Sequence, residues 1–277
     1  MHKDISFFLK GDNAYLHLRQ LYEKLLPTNE VYHPVITVKQ QAKQLELLDH
    51  HIPHESFYFV LNLLTFELEH ISGVKKWLGY SNKQFTTSQY LKCIHPDHVV
   101  LYNLIAECIY KVMYQGKFQL HFATQKYIST VALRHYDGEY YVYKKTSSIF
   151  QYDHKNRMLS QLNEFSRIEV FDGNALKPRI AEMEDGLKQQ FEKLVYEMLN
   201  KLMVEEKYFS EKEFEVLKYY AEDMERTSNH VAHKMNLKPP TIDTYNKRIL
   251  EKARRIFTHP YKNAREVALR LKKEKIL

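Results

Sequence analysis

The sequence predicts an α+β chain, with an antiparallel sheet domain in the middle, helices before and after it, and a wholly helical domain at the C-terminal end. Three observations lead there. Apolar residues alternate with a period of two across several segments between Phe57 and Val170, as half-buried strands require. On either side they recur at three- and four-residue spacing, the period of a helix with one buried face. Positive charge is concentrated at the C-terminal end: from Lys238 onward twelve Lys or Arg stand against four Asp or Glu, a net of +8 where the whole chain carries +7. A uniform excess has many causes, whereas a block points at a surface. The 277 residues allow about two domains of roughly 150 each, and seven Gly with eight Pro argue against long linkers.

Composition also excludes several classes. Cys93 and Cys108 fit no metal or redox spacing and are too few for a disulfide framework, so a reducing compartment is expected. The opening MHKDISFFLKGD has an apolar run too short for a signal-peptide core. The most apolar window, Phe57 to Phe66, is broken by Asn62 and Thr65 and suits strands better than a membrane span. A soluble, cytoplasmic protein without membrane contact is expected. Walker A, G-x-S-x-G, H-E-x-x-H and kinase patterns are missing, so no enzymatic activity is expected.

Residues 1–55 read as an N-terminal helical extension, from Tyr15–Tyr22 and from Ala42, Leu45 and Leu48 at helical spacing. Its expected task is packing against the sheet or a second subunit. Residues 56–173 read as the sheet domain. Phe57–Leu61 and Thr65–His70 form a hairpin around a polar turn. Trp77–Tyr80 and the segment through Tyr90 look like short helical turns, and Val99–Tyr114 has helical spacing. Three strands follow, Thr130–Arg134, Tyr140–Tyr152 and Met158–Val170. They are joined at Asp137-Gly138 and at Asp153–Asn156, whose residues accept positive φ cheaply.

With Trp77-Leu-Gly-Tyr80, Ile94-His-Pro-Asp97 before the long helix and Arg134-His-Tyr-Asp-Gly-Glu-Tyr140 at a hairpin, this order of elements resembles a PAS domain over roughly 110 residues. The resemblance implies a sensory and dimerisation module and names no ligand. His98 stands where many relatives have a second acidic residue. Trp77, Tyr80, Phe118 and Phe122 are candidates to line a small-molecule pocket, since aromatic side chains supply most contact area in such sites; core packing explains them equally well. No flavin-type cysteine signature surrounds Cys93 or Cys108. His95 and His98 could serve haem by residue type, but His95 before Pro96 reads as a residue at the start of a helix. His50, His51 and His54 fit neither face of a helix cleanly and read as a polar loop rather than a metal site. No cofactor and no metal are expected.

Residues 174–208 read as a linker helix, with Leu187, Phe191, Leu194, Val195, Met198 and Leu202 as its stripe. That stripe either packs back on its own sensor domain or pairs with its twin. The symmetry of two half-sites on DNA favours the dimer.

Residues 209–277 read as four helices. Ser210-Glu-Lys-Glu213 has capping-box spacing, and Phe214, Leu217 and Ala221 continue an apolar face. A polar stretch through Arg226 and Thr227 ends this helix. Val231, Ala232 and Met235 mark a short second helix, and Asn236-Leu237-Lys238 a turn with its leucine inward. Pro239 and Pro240 suit the first turn of a third helix, where their missing N–H has no intrahelical partner. On that third helix Ile242, Tyr245, Ile249 and Ala253 lie within one stripe, opposite Thr244, Lys247, Arg248 and Arg255. Asn263 to Glu266 has capping-box spacing and opens a fourth helix, buried through Ala264, Val267, Ala268 and Leu271, with Lys272, Lys273 and Lys275 at its dipole-favoured end.

Phe209-Ser210-x-x-Glu213-Phe-Glu-Val-Leu217 and Val231-Ala-x-x-Met-x-Leu-x-x-x-Thr241-Ile242, continued by Ile249 and Lys252, resemble the LuxR-type helix-turn-helix from Phe209 to about Phe257. Three departures stand out: Asp223 where the family commonly has Gly, two extra residues before Val231, and Asp243 at a position often basic. The resemblance implies double-stranded DNA as partner. Thr241 and Lys252 would hold phosphates, and Thr244, Lys247 and Arg248 would reach base edges. Lys238, Asp243 and Arg255 complete the candidate set, with Asp243 able to accept from a cytosine amino group. The function expected is a sequence-specific transcription regulator, dimeric, acting with RNA polymerase and sensing a small molecule. A protein-interaction adaptor using the same helices and a sigma-like promoter-reading subunit are the alternatives.

Overall fold

The structure, a computed structural model, describes residues 3–51, 55–173, 176–223 and 227–277. The expectations placed on His54 and Arg226 lie outside the described residues. Antiparallel strands form one six-stranded sheet in the order β2-β1-β5-β4-β3-β6. The strands are β1 (Ser56–Asn62), β2 (Glu67–Ser72), β3 (Lys126–Arg134), β4 (Tyr140–Tyr152), β5 (Met158–Val170) and β6 (Arg179–Ala181). The last two long strands run as the alternation predicts. Their turn is set by Asp153, whose Oδ1 accepts from the amides of Lys155 and Arg157, and by Asn156 at φ 61°. β2 starts two residues later than predicted. Asn62 Oδ1 accepts from the amides of Leu64 and Thr65, and Phe66 sits at φ 59°, so Thr65 and Phe66 belong to the turn. β3 starts earlier than predicted, and β6 was not expected. Lys126–Ile128 pair with β6 on one side and β4 on the other, a partnership made across some fifty residues of chain and without local periodicity.

Both faces of the sheet are covered. On one, Leu48 of α3 (Val38–His51) meets Tyr58, Val60, Phe150 and Leu162. On the other lie α4 (Val74–Leu78), α5 (Thr87–Cys93), the long α6 (Pro96–Met113) and, outside them, α2 (Asn13–Leu25). His95 caps α6, its Nδ1 accepting from the Asp97 amide, with Pro96 in the first turn. His98 Nδ1 accepts from the Ala132 amide. Both histidines thus accept from backbone amides through Nδ1. Tyr80, Phe85 and Tyr136 close one end of this side.

The predicted linker helix is α7 (Asp185–Glu205), and it packs on α6 of its own chain. Its buried stripe is Phe191, Val195, Leu199 and Met203, while Leu187 is exposed. Of the expected stripe, Phe191 and Val195 are buried within the chain, whereas Leu194, Met198 and Leu202 stay half-buried.

The C-terminal module comprises α8 (Glu211–Glu222), α9 (Ser228–Lys234), α10 (Pro239–Ala253) and α11 (Ala264–Lys273). The capping box at Ser210 and Glu213 forms in both directions. Thr227 does not end α8; its hydroxyl accepts from the His230 amide and starts α9. Asn236 at φ 52° and a Leu237 amide bonded to Ala232 O at 2.9 Å make a left-handed C-cap between α9 and α10. Only half of the second capping box forms: Asn263 accepts from the Glu266 amide, but the Glu266 carboxylate accepts from Lys262. Among the described residues no helix is long and apolar enough to cross a membrane.

Candidate functional site

The outer face of α10 is the first candidate. Ile242, Ile249 and Ala253 are buried against α8, α9 and α11. That burial turns Lys238, Asp243, Thr244, Lys247 and Arg248 to solvent, with Thr241 half-buried at the first turn. Lys247 and Arg248 form no ion pair among the described residues. The Thr244 hydroxyl donates to Pro240 O at 2.9 Å, so it lies along the helix. Glu251 and Arg254, exposed on the same side, were not anticipated.

The structure separates two members of the predicted set from this face. Lys252 Nζ sits 2.6 Å from Oε2 of Glu213. Burial raises the Glu213 carboxyl, but the bonds from Lys252 and the Ser210 amide outweigh it and hold it below the usual range. Arg255 donates to Lys207 O at 3.1 Å, and its Nε lies 3.8 Å from Asp4. These two cations tie α10 to α8 and to the N-terminal extension. Asn246, which no sequence pattern marked, bonds the Tyr220 hydroxyl and the Ser228 Oγ, fixing α10 against α8 and α9.

The second candidate is a cavity of about 50 Å³ between the sheet and α5, α6 and α2. None of the four aromatics predicted for a pocket lines it. Trp77 is half-buried on α4, and its carbonyl accepts from the Tyr143 hydroxyl. Tyr80 packs on Phe85 and Tyr136, Phe118 meets Phe191 of α7 edge-on, and Phe122 lies on Phe150 across the opposite face of the sheet. These contacts set the four at separate packing sites.

The cavity walls are Phe59, Tyr90, Tyr102 and Tyr110, and its floor is polar. Strand alternation points Ser129, Lys145, Gln161 and Asn163 toward α6, in phase with Val131, Tyr143 and Phe165. Lys145 Nζ donates to the Tyr102 hydroxyl at 2.8 Å, and Tyr102 shares a 2.7 Å hydrogen bond with Tyr90. The Tyr110 hydroxyl donates to Gln161 Oε1 at 2.7 Å, and Ser147 Oγ to Asn163 Oδ1 at 2.8 Å. Burial pushes Lys145 down to about 7 and Tyr110 up to about 12, because a low-dielectric site disfavours either charged form. The sequence carried one signal of this floor: a lysine and a serine, Lys145 and Ser147, in phase with core positions Tyr143 and Ile149.

The two candidates are joined. Leu176 lines the cavity, and its amide donates to Oε2 of Glu274 at 2.9 Å, just past α11. Glu274 is fully buried and paired with Arg270 at 2.8 Å, and Arg270 donates to Gly173 O at 2.8 Å. On the other side of the junction Asp97 accepts from the Thr258 hydroxyl and amide and from the His259 amide. Burial opposes the Asp97 charge, but the Thr258 bonds, His95 and Arg270 outweigh it and lower its pKa. The Ile5 amide of α1 (Ile5–Phe8) donates to Arg255 O at 2.8 Å, adding the N-terminal extension to the junction.

No known family profile and no curated protein matches the chain. Among solved structures it is similar to the phage VqmA–DPO complex, at 13% identity and TM-score 0.33, covering 87% of this chain and 94% of that one. It is also similar to Escherichia coli SdiA, at 12% identity and TM-score 0.27, covering 95% of this chain and 98% of that one. SdiA in complex with octanoyl-rac-glycerol overlaps at 13% identity and TM-score 0.26, over 94% of this chain and 95% of that one. These neighbours are LuxR-family regulators. Overlap at these TM-scores is too loose to assign a role to any residue of this chain.

Proposed function

We propose that the chain is a DNA-binding transcription regulator in which α10 enters the major groove and the sheet domain, PAS-like in its element order, senses a small molecule. The observation that carries this reading is the exposed face of α10. Lys238, Thr241, Asp243, Thr244, Lys247 and Arg248 project from a helix whose inner face is locked onto α8, α9 and α11, which is what major-groove insertion needs. Lys238 and Thr241, at the N-terminal end of α10, are assigned to phosphates. Lys247 and Arg248 are assigned to base edges, Arg248 suiting bidentate contact with guanine. Lys252 and Arg255 hold the helix in place. Because one short helix reads few bases, the active species is a homodimer on paired half-sites, acting with RNA polymerase. A change at the cavity reaches the module through Leu176 and Glu274.

A salt titration against random and selected duplexes tests the reading. DNA binding gives a log–log slope near −0.9 per phosphate contacted. Arg248→Ala relaxes sequence preference by roughly 1–3 kcal/mol, and Lys238→Ala weakens all sequences alike, lowering the slope by about 1. The acids Asp243 and Glu251 on the same face favour a second reading, an adaptor that binds a partner protein. Absence of DNA affinity at low salt would decide for the adaptor.

A further inference from the structure

We propose that the cavity under the sheet takes a small, weakly acidic molecule, held as its anion against the Lys145 side chain; the proposal rests on the sensory reading of that cavity. Four observations point to this ligand class. First, no carboxylate lines the cavity: the titratable groups facing it are Tyr22, Tyr90, Tyr102, Tyr110, Tyr127 and Lys145. Beside Lys145 on β5 the nearest carboxylate, Glu164, alternates onto the opposite face with Leu162. Lys145 is thus buried with no counter-charge from α2, α5, α6, β3 or β5.

Second, an ammonium group has three hydrogens to donate, and Nζ gives one, to the Tyr102 hydroxyl. Among the described residues no further acceptor meets it. Third, Ser129, directly opposite Lys145 in the β3–β4 register, has a buried hydroxyl that makes no close hydrogen bond, with the Tyr127 side chain as its polar neighbour. Buried polar groups are ordinarily satisfied, and leaving one unsatisfied is costly. A ligand with two acceptor atoms, such as a carboxylate, answers both groups at once. Fourth, about 50 Å³ suits a ligand of few heavy atoms and leaves no space for an extended acyl chain.

The protonation balance is simple. Lys145 is shifted down to about 7 by burial, so near neutral pH the empty site holds much of it as the free amine. An acid entering in its neutral form gives its proton to the amine, and the pair becomes carboxylate and ammonium. An acid entering as the anion takes one proton from solvent with it. Either route makes anion affinity fall as pH rises above about 7, roughly tenfold per unit while the amine is neutral in the free protein.

The experiment uses the full chain and compares each acid with its uncharged isostere, acetate with acetamide and propionate with propionamide. Thermal shift and calorimetric titration are run at pH 6.5 and 8.5. The expected result is that an acid binds more tightly than its amide, weakens from pH 6.5 to 8.5 and takes up a proton at the higher pH. Lys145→Met abolishes that preference while unfolding cooperatively, and Lys145→Gln serves if the methionine variant fails to fold. Amides that bind as well as acids, or acids that bind Lys145→Met undiminished, overturn the charge pairing and leave a cavity that accepts ligands of another class. Silence from every compound overturns both the ligand class and the sensory role of the cavity. DNA binding is judged independently by the salt titration.

Discussion

The C-terminal helical module and the sheet domain are both closed by large apolar side chains, yet they differ in how a buried charge is matched. Among the described residues from 209 onward the buried charged side chains are Glu213, Arg270 and Glu274. Glu213 belongs to a capping box and a lysine pair, and Glu274 meets Arg270 and the Leu176 amide. Beneath the sheet, by contrast, Lys145 lacks a counter-charge and the Ser129 hydroxyl makes no close hydrogen bond, next to open space. A surface that must present side chains at fixed spacing is best served by a core whose buried charges are paired. A site that must respond to an occupant needs groups whose satisfaction is deferred, and it gives up stability to keep them.

Ile249→Ala sharpens the first half of this contrast and should have the largest effect. A fully buried Ile in a filled core loses about 2–5 kcal/mol on truncation. Urea unfolding should show it, and a loss under about 1 kcal/mol would mean that the module collapses around the gap and is not rigid.

Next comes the pH dependence of stability, which tests the second half. Lys145 has a folded pKa of about 7, below its ordinary 10.5, so between those values the unfolded chain carries the extra proton. Stability from this group therefore rises with pH across the interval, by up to about 1.4 kcal/mol per unit. Denaturation at pH 7.5 and 9.5 should show the rise in the wild type and a flatter profile in Lys145→Met. Equal profiles would place the lysine in water.

The smallest effect is expected at the junction. Asp97→Asn keeps the shape but removes a charged acceptor, at a cost of about 1–2 kcal/mol. Since the Asp97 pKa is lowered, its contribution is present above the ordinary value of 3.8 and is lost as pH falls below it. Calorimetry of the variant should broaden or split the unfolding transition. A single unchanged transition would show that Asp97 does not couple the two regions.

Much of the local structure was legible in sequence. The limits of β4 and β5, the capping box at Ser210 and the apolar face of α10 follow from periodicity and turn chemistry, which act over a few residues. Tyr245, assigned to that face, is only half-buried because the helix periphery is set by what lies beside it. The candidate site was legible in part. The exposed residues of α10 stand where helical spacing placed them, but Lys252 and Arg255 are claimed by Glu213, Lys207 and Asp4, distant in the chain. Aromatic content does not single out the cavity, because aromatic side chains fill the core as well as line its walls; polar side chains in phase with core positions do mark it. In a sheet covered on both faces, phase alone does not say which side holds open space.

By itself the sequence determined an α+β chain with a basic, four-helix C-terminal region, because hydrophobic period and capping are local and tolerate no alternative. Tertiary structure alone decided that α7 packs on α6 of its own chain, that β6 completes the sheet, and that Leu176 and Asp97 join the two regions. Those outcomes depend on contacts between residues far apart in the chain. Their partners are chosen by shape, by the burial of charge and by the need to satisfy backbone groups, and none of these leaves a periodic trace.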